Sequence, residues 1–336
     1  MNTTCLVISC ISESNYESDM LGIVEPAISA IRTSGRFERM KGEEIYWERY
    51  TPDAYVGSIV ISHGFAESCD KFAEMIYYFV QAGYQVFICE HRGHGRSYRA
   101  AEEMWLTHVE RFDDYIQDFH HFMIHIVLQN LNEKPLFLYA HSMGGAIGAR
   151  YLELYPGVFD RAVLTAPMLE LDSGNIPMFA AKLYAGYQSF VGNKRKPLFI
   201  HKPFREDEPF EEGVATSLAR FNYYLNKRIK TPYLQNSAAT YQWMRESLRT
   251  VKQIVNRKNC SRVTVPVLLF QAEHDSLVKP GGQNRFISYL ANGRLTRIIG
   301  SKHEIYRSEN EILQPYLDEL LQFYHDFYET KGLSQK

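Results

Sequence analysis

The sequence predicts an α/β fold, a mostly parallel central sheet flanked by helices, with a helical cap inserted into it. Three observations lead there. Short apolar runs alternate with longer stretches whose apolar residues recur at helical spacing, the pattern of parallel strands joined by crossover helices on both faces. That alternation breaks off near Met168 and resumes at Val265. One junction, LFLYAHSMGGAIGARYLELYP over 136–156, sets Ser142 and two glycines between an apolar strand and an amphipathic helix. A turn this tight and this poor in side chains suits the display of one hydroxyl on a constrained backbone.

Each element follows from its pattern. EEIYWERY, ending at Tyr50, alternates like a strand, and GSIVIS, 57–62, reads as a buried one. KFAEMIYYFVQAG is a helix stopped by Gly83, YQVFICE (84–90) a strand, and DDYIQDFHHFMIHIVLQNL (113–131) a helix. The strand at Leu136–Tyr139 and the helix beyond Ser142 come next, then RAVLTA, 161–166, as another strand. After the interruption come the strand VPVLLFQA (265–272), a helix near 282–291, the strand RLTRIIG and a closing helix over 310–328.

The chain so divides into an irregular N-terminal extension (1–35), a core (36–168 and 237–336) and a cap (169–236). The cap segment holds Pro177, Pro197, Pro203, Pro209 and Pro232, many aromatics, and the basic run Lys194–Lys196. An insertion of this length between two sheet strands forms a subdomain rather than a bare loop, and such lids shape the entrance to a site. Its Phe179, Tyr184, Tyr187, Phe190, Phe199, Phe204, Phe210 and Phe221 either line an acyl tunnel or pack as the cap's own core.

Composition narrows the function. The 336 residues are 45% hydrophobic with a net charge of −2, so a large core is available and the basic footprint of a nucleic-acid partner is absent. The five cysteines, Cys5, Cys10, Cys69, Cys89 and Cys260, form no C-x-x-C pair and read as reduced thiols of a cytoplasmic protein. CLVISC is too short an apolar run, and lacks a preceding Lys or Arg, for an export signal. Nothing approaches the ~18 apolar residues of a membrane span. Peripheral contact with a membrane stays open, as does oligomeric state.

Ser142 is the expected nucleophile. A neutral hydroxyl needs an adjacent base, and a strand–turn–helix elbow of the G-x-S-x-G type supplies the geometry. Here it reads Ala140-His141-Ser142-Met143-Gly144, with alanine for the first glycine. The acid should follow, then the base. Past VPVLLFQA stand Glu273, His274 and Asp275. Asp275 is preferred because it lies deeper in the loop and precedes a turn; His274 adjoins the acid and is poorly placed as base. His303 follows the last strand, where the base belongs, whereas His325 sits within the final helix and reads as a solvated residue. The backbone N–H groups of Met143 and Phe65 are the expected oxyanion donors, Phe65 from the loop after GSIVIS. His63 and Glu67 read as braces of that loop. His121 and His125 have i, i+4 spacing but no third ligand nearby, so no metal is expected. EHRGHGRS, 90–97, lacks a phosphate-loop pattern and reads as a structural turn near the site's rim; no cofactor is expected.

The motifs SHGFAES, EHRGHGRS, VERFDDYIQDF, YAHSMGGAI, LTAPM, TYQWMRES, QAEHDSLV and GSKHEIYRSE occur in that order. Together they resemble the α/β-hydrolase superfamily, and within it the monoacylglycerol lipases and bacterial lysophospholipases, over roughly residues 35 to 328. Ala66 stands where some members have glycine. The resemblance implies the α/β-hydrolase fold, the triad Ser142–Asp275–His303, and hydrolysis of a lipid ester with one acyl chain. A lysophospholipase is the first expectation, with a monoacylglycerol lipase or general carboxylesterase as the alternative. A peptidase, an acyltransferase and a non-catalytic binding module stand further off. Dehalogenases and epoxide hydrolases place Asp where Ser142 stands.

Overall fold

Four strands, β3 (Gly57–Ser62), β4 (Tyr84–Cys89), β5 (Leu136–His141) and β6 (Arg161–Thr165), are buried along their whole length. Their continuous apolar runs follow from that, because helices cover both faces of a parallel sheet. The structure, a computed structural model, describes residues 8–172 and 178–332. Four further strands complete the sheet: β1 (Arg32–Glu38), β2 (Glu44–Tyr50), β7 (Val267–His274) and β8 (Gly293–Lys302). The order is β1-β2-β4-β3-β5-β6-β7-β8. β2 runs antiparallel to both β1 and β4, and the other pairings are parallel.

Side-chain alternation splits the core in two. Val60, Leu138, Leu164 and Leu269 point to one face. There they meet helices α2 (Asp113–Phe122) and α3 (Ser142–Leu154). Ile59, Ile61, Phe137, Tyr139 and Phe270 point to the other. They meet α1 (Ala73–Gln81) and the long C-terminal helix Asn310–Lys331. The segment between β6 and β7 includes helices α4 (Met178–Phe190), α5 (Leu218–Lys230) and α6 (Tyr241–Ile254). α6 packs against both α4 and α3. A two-residue strand, Ala238–Ala239, pairs with Leu106–Thr107.

The strand order positions the site. The chain leaves β3 toward β4 on one side, then returns to place β5 on the other, so β3 and β5 flank a topological switch point. Ser62 is in register with Ala140, which brings the loop after β3 and the turn after β5 out of the sheet side by side.

The N-terminal segment corrects the sequence reading. An irregular extension was expected over residues 1–35, yet residues 13–30 form a nearly continuous helical run and β1 begins at Arg32. Tyr16, Met20, Val24 and Ile28, spaced four apart, bury one stripe against α1, and polar residues around them hide that period. The Tyr16 hydroxyl donates to Glu74 Oε2 at 2.7 Å. Glu25 accepts from Tyr223 and Lys227 on α5. His325 is a second correction: it is buried on the C-terminal helix rather than solvated, because its face of that helix turns to the core. Cys5, Pro177 and the Phe179 side chain lie outside the described residues.

Truncating Met20 to alanine deletes buried atoms from this stripe and should cost about 2–5 kcal/mol. A fall in the urea midpoint with unchanged m-value checks it, and an unchanged midpoint would mean that the stripe is not part of the core.

Candidate active site

Ser142 is the first residue of α3, immediately after β5, and its φ is +52°, in the left-handed region that side chains avoid. The turn is tight because α3 starts directly against β3. A Cβ at Gly144 would lie 2.0 Å from the Ser62 carbonyl oxygen, and one at Gly145 would meet Pro167 at 2.6 Å. Glycine is required at both positions, as a close backbone approach demands.

The structure brings Ser142, His303 and Asp275 together from three chain regions. His303 Nε2 lies 2.8 Å from Ser142 Oγ, and His303 Nδ1 lies 2.7 Å from Asp275 Oδ2. Asp275 follows β7, and His303 follows β8. The Leu277 and Val278 N–H groups donate to Asp275 Oδ1 at 2.9 and 3.0 Å. Burial works against ionisation of Asp275, but His303 and these two donors outweigh it and hold the carboxyl below its usual value. An ionised Asp275 only accepts, so Nδ1 carries the imidazole proton and Nε2 is left to accept the Ser142 hydroxyl. Ser142 is 8% and His303 3% exposed, so this relay is shielded from bulk water.

The loop after β3 is held from both sides. The Gly64 N–H donates to Glu67 Oε2 at 2.5 Å, which removes that amide from the cavity and leaves the next one, Phe65. Glu67 Oε1 accepts from the Tyr306 hydroxyl at 2.6 Å, tying this loop to the one that carries His303. Ala66 has φ +59°, which accounts for the suitability of glycine at that position. The Phe65 ring packs on Trp243 of α6 with centroids 4.7 Å apart. Met143 N–H lies in the first turn of α3, where amides have no acceptor within the helix.

Beneath the loop sit neutral histidines. His63 Nε2 accepts from the His91 N–H at 2.9 Å, and His91 Nε2 lies 3.0 Å from Ser62 Oγ. The turn 90–97 therefore braces the loop from below instead of forming the rim. It is fixed by Arg92, which donates to both oxygens of Asp118 at 2.6 and 2.9 Å, and by Arg96 on Glu90 at 2.6 Å. Burial lowers His63 and His141 to about 4 and pushes His91 and His94 well below their usual value. His274 is exposed beside Glu273 and takes no part. His121 and His125 pack with ring centroids 4.1 Å apart and planes tilted by 39°.

A cavity of about 1070 Å³ opens over Ser142 and His303. Leu198, Phe199, Tyr241, Met244 and Leu248 give it an apolar side, and Lys71, Glu208, Arg228, Glu304 and Arg307 a polar one. Sequence reasoning missed the polar side. Lys71 bonds Glu304 and lies 3.3 Å from Glu67, and Arg307 reaches Glu304 at 2.5 Å. Glu304 and Arg307 adjoin His303 in the motif SKHEIYRS, but Lys71 lies more than two hundred residues away, so no local signal joins them.

Residues 53–311 match the family described as serine aminopeptidase S33. The chain belongs to that family. Lysophospholipase L2 of Escherichia coli K12 is 30% identical over 302 residues, 88% of each chain. A monoacylglycerol lipase of Mycolicibacterium smegmatis is also 30% identical, over 155 residues, 46% of this chain and 53% of that one. Of solved structures, a soluble variant of the Saccharomyces cerevisiae monoglyceride lipase superposes with a TM-score of 0.70 at 15% identity, covering 88% of this chain and 95% of that one. The fold is that of the α/β-hydrolases.

The buried histidines give a pH dependence with a definite sign. Each has a folded value below its unfolded one, so unfolding takes up protons and stability falls as pH drops from about 6.5 toward 4. Glu153, raised by burial to about 8, acts oppositely with one proton, since its contribution falls as pH rises. Urea midpoints between pH 7 and 4.5 should fall with a slope of on the order of two or more net protons. A flat profile would mean that these histidines are charged in the fold.

Proposed function

We propose that this enzyme, a carboxylic ester hydrolase, cleaves lipids bearing a single acyl chain, and that it is a lysophospholipase. The observation that carries this reading is the continuous relay Ser142–His303–Asp275 at the floor of a large cavity with one apolar and one polar side. The cavity is at the upper end of small-molecule site volumes, room for a long acyl chain and a head group together.

In the mechanism so read, His303 Nε2 takes the Ser142 proton as Oγ attacks the ester carbonyl. Asp275 keeps the imidazole in the required tautomer and stabilises the imidazolium. The N–H groups of Phe65 and Met143 receive the negative charge that develops on the carbonyl oxygen. The ester bond breaks, and the leaving alcohol takes the proton from His303. Water then repeats the sequence on the acyl-enzyme, releasing the fatty acid and restoring Ser142. Residues 169–236 act as the cap that covers this chemistry and supplies much of the cavity wall.

One observation favours a monoacylglycerol lipase as the second reading. The cavity's cations are each matched by a carboxylate: Lys71 and Arg307 by Glu304, and Arg228 by Glu208 at 2.6 Å. A neutral glycerol needs no free cation, whereas a phosphodiester has to compete for one of these.

Fatty-acid release from lysophosphatidylcholine, monooleoylglycerol and p-nitrophenyl butyrate distinguishes the readings. The lysolipid should be turned over fastest, and Ser142→Ala should abolish turnover of all three. Preference for the glyceride or the short ester would make the enzyme a lipase or carboxylesterase with the same mechanism; activity surviving Ser142→Ala would remove the nucleophile. Asp275→Asn should lower kcat by roughly 10³–10⁴-fold with little change in KM, because it presents the wrong tautomer at His303. A loss of less than tenfold would deny Asp275 that role.

A further inference from the structure

One ion pair of the cavity wall keeps hydrogen-bonding capacity in reserve. Phe221, Tyr224, Leu225 and Arg228 stand at i, i+3, i+4 and i+7 on α5, so one face of that helix lines the cavity. The near part of this face adjoins the loop of His303. Lys71 and Arg307, both bonded to Glu304, each lie 5.2 Å from the Tyr224 ring centroid. Arg228 is one helical turn further on, about 6 Å of rise. Its guanidinium is held in place independently of Glu208. Nε donates to the Leu234 carbonyl at 3.3 Å, Nη2 donates to the Asn236 carbonyl at 3.2 Å, and the Phe204 ring centroid is 4.3 Å from the guanidinium carbon. Nη1 donates to Glu208 Oε2 at 2.6 Å. A guanidinium has five N–H groups, so one on Nη1 and one on Nη2 have no acceptor among the described residues.

The carboxylates of the wall differ in the same respect. Glu67 is engaged at both oxygens, by the Gly64 N–H and Tyr306, and Glu304 likewise, by Lys71 and Arg307. Glu208, 38% exposed, uses only Oε2, and Glu212 has no ion pair among the described residues. The cations near Glu212 are taken elsewhere: Arg205 bonds Asp207 at 3.0 Å, and Lys302 donates to the Gly213 carbonyl at 2.9 Å. The outer part of the polar wall thus presents two open N–H groups and two carboxylates with open oxygens. An anionic head such as phosphoglycerol would pair with Arg228 and leave both carboxylates facing its own charge. A neutral glycerol would neutralise neither sign. A zwitterion brings a phosphodiester to the N–H groups and an ammonium to the carboxylates, so no charge is left unpaired.

We infer that Arg228, Glu208 and Glu212 read the head group of a zwitterionic lysophospholipid, the guanidinium taking the phosphodiester and the two carboxylates taking the ammonium of phosphocholine or phosphoethanolamine. The inference rests on the lysophospholipase reading and narrows it. Arg228 exchanges a carboxylate for a phosphate while Glu208 exchanges a guanidinium for an ammonium, so the ion pair in the wall is replaced rather than broken.

Binding of uncleavable ether lipids to the full chain tests this, since an ether offers Ser142 no carbonyl. Calorimetry below the micelle concentration compares 1-O-alkyl glycerophosphocholine, 1-O-alkyl glycerophosphoglycerol and 1-O-alkylglycerol of one chain length. The phosphocholine should bind roughly tenfold more tightly than the phosphoglycerol. The double variant Glu208→Gln, Glu212→Gln should bring that ratio to about one, and Glu212→Lys, a change at an exposed side chain, should lower it roughly threefold or more. Arg228→Gln should weaken both phospholipids roughly tenfold more than it weakens the alkylglycerol. Each ratio is read within one protein, so a loss of folded material cancels. Equal binding of the two phospholipids by the wild type, an unchanged ratio in the double variant, or an Arg228→Gln loss equal for all three lipids would overturn the inference. Equal binding together with rapid cleavage of lysophosphatidylcholine would leave the lysophospholipase reading standing, whereas selective binding without cleavage would remove that reading instead.

Discussion

The arrangement of the site depends on one close approach, that of the first turn of α3 to the end of β3. Gly144 sits where any side chain would meet the Ser62 and His63 carbonyl oxygens, so the helix can begin directly against the strand. That contact forces Ser142 into the left-handed region and points its hydroxyl out of the sheet edge. It also places the first amides of α3 beside the loop that carries Phe65. A strained backbone of this kind persists only where its surroundings over-determine it. Here the surroundings are the parallel pairing of β3 with β5 and the tight seating of Gly145 on Pro167.

The second requirement is a buried polar anchor shared by the loops of the site. Glu67 binds the Gly64 amide, Tyr306 and Lys71 at once, so the loops bearing Phe65 and His303 share one anchor. Such buried networks rigidify when each member is satisfied. Burial keeps the surrounding histidines neutral at ordinary pH, which lets them serve as uncharged spacers beneath the loop. The same feature makes the fold sensitive to acid well before its carboxylates titrate.

The cap is asymmetric in how it is held. α5 is fixed to the core through Arg220, which is fully buried and bonds Glu74 of α1 at 2.6 Å. The N-terminal helical run adds Glu25 to Lys227 and Tyr223 of the same helix. The residues read from sequence as an extension are thus a clasp on one wall of the cavity. α4, by contrast, rests on α6 and leaves its apolar stripe outside.

The sequence by itself determined the fold class, because strand and helix periods are local and parallel sheets carry fully apolar runs such as GSIVIS and LFLYA. It also pointed to Ser142, Asp275 and His303, since chain order and the position of loops after strands narrow the choice, with Glu273 as the alternative acid. Tertiary structure alone decided the rest. The stripe Tyr16–Met20–Val24–Ile28 is visible only once α1 offers it a partner, because weak apolar periodicity in a polar segment has no meaning without a surface to bury it against. Glu67 with Tyr306, Lys71 with Glu304, and Arg220 with Glu74 join residues 239, 233 and 146 positions apart. Ion pairs and hydrogen bonds over such separations depend on which loops the sheet order brings to one edge, and a linear pattern does not carry that information.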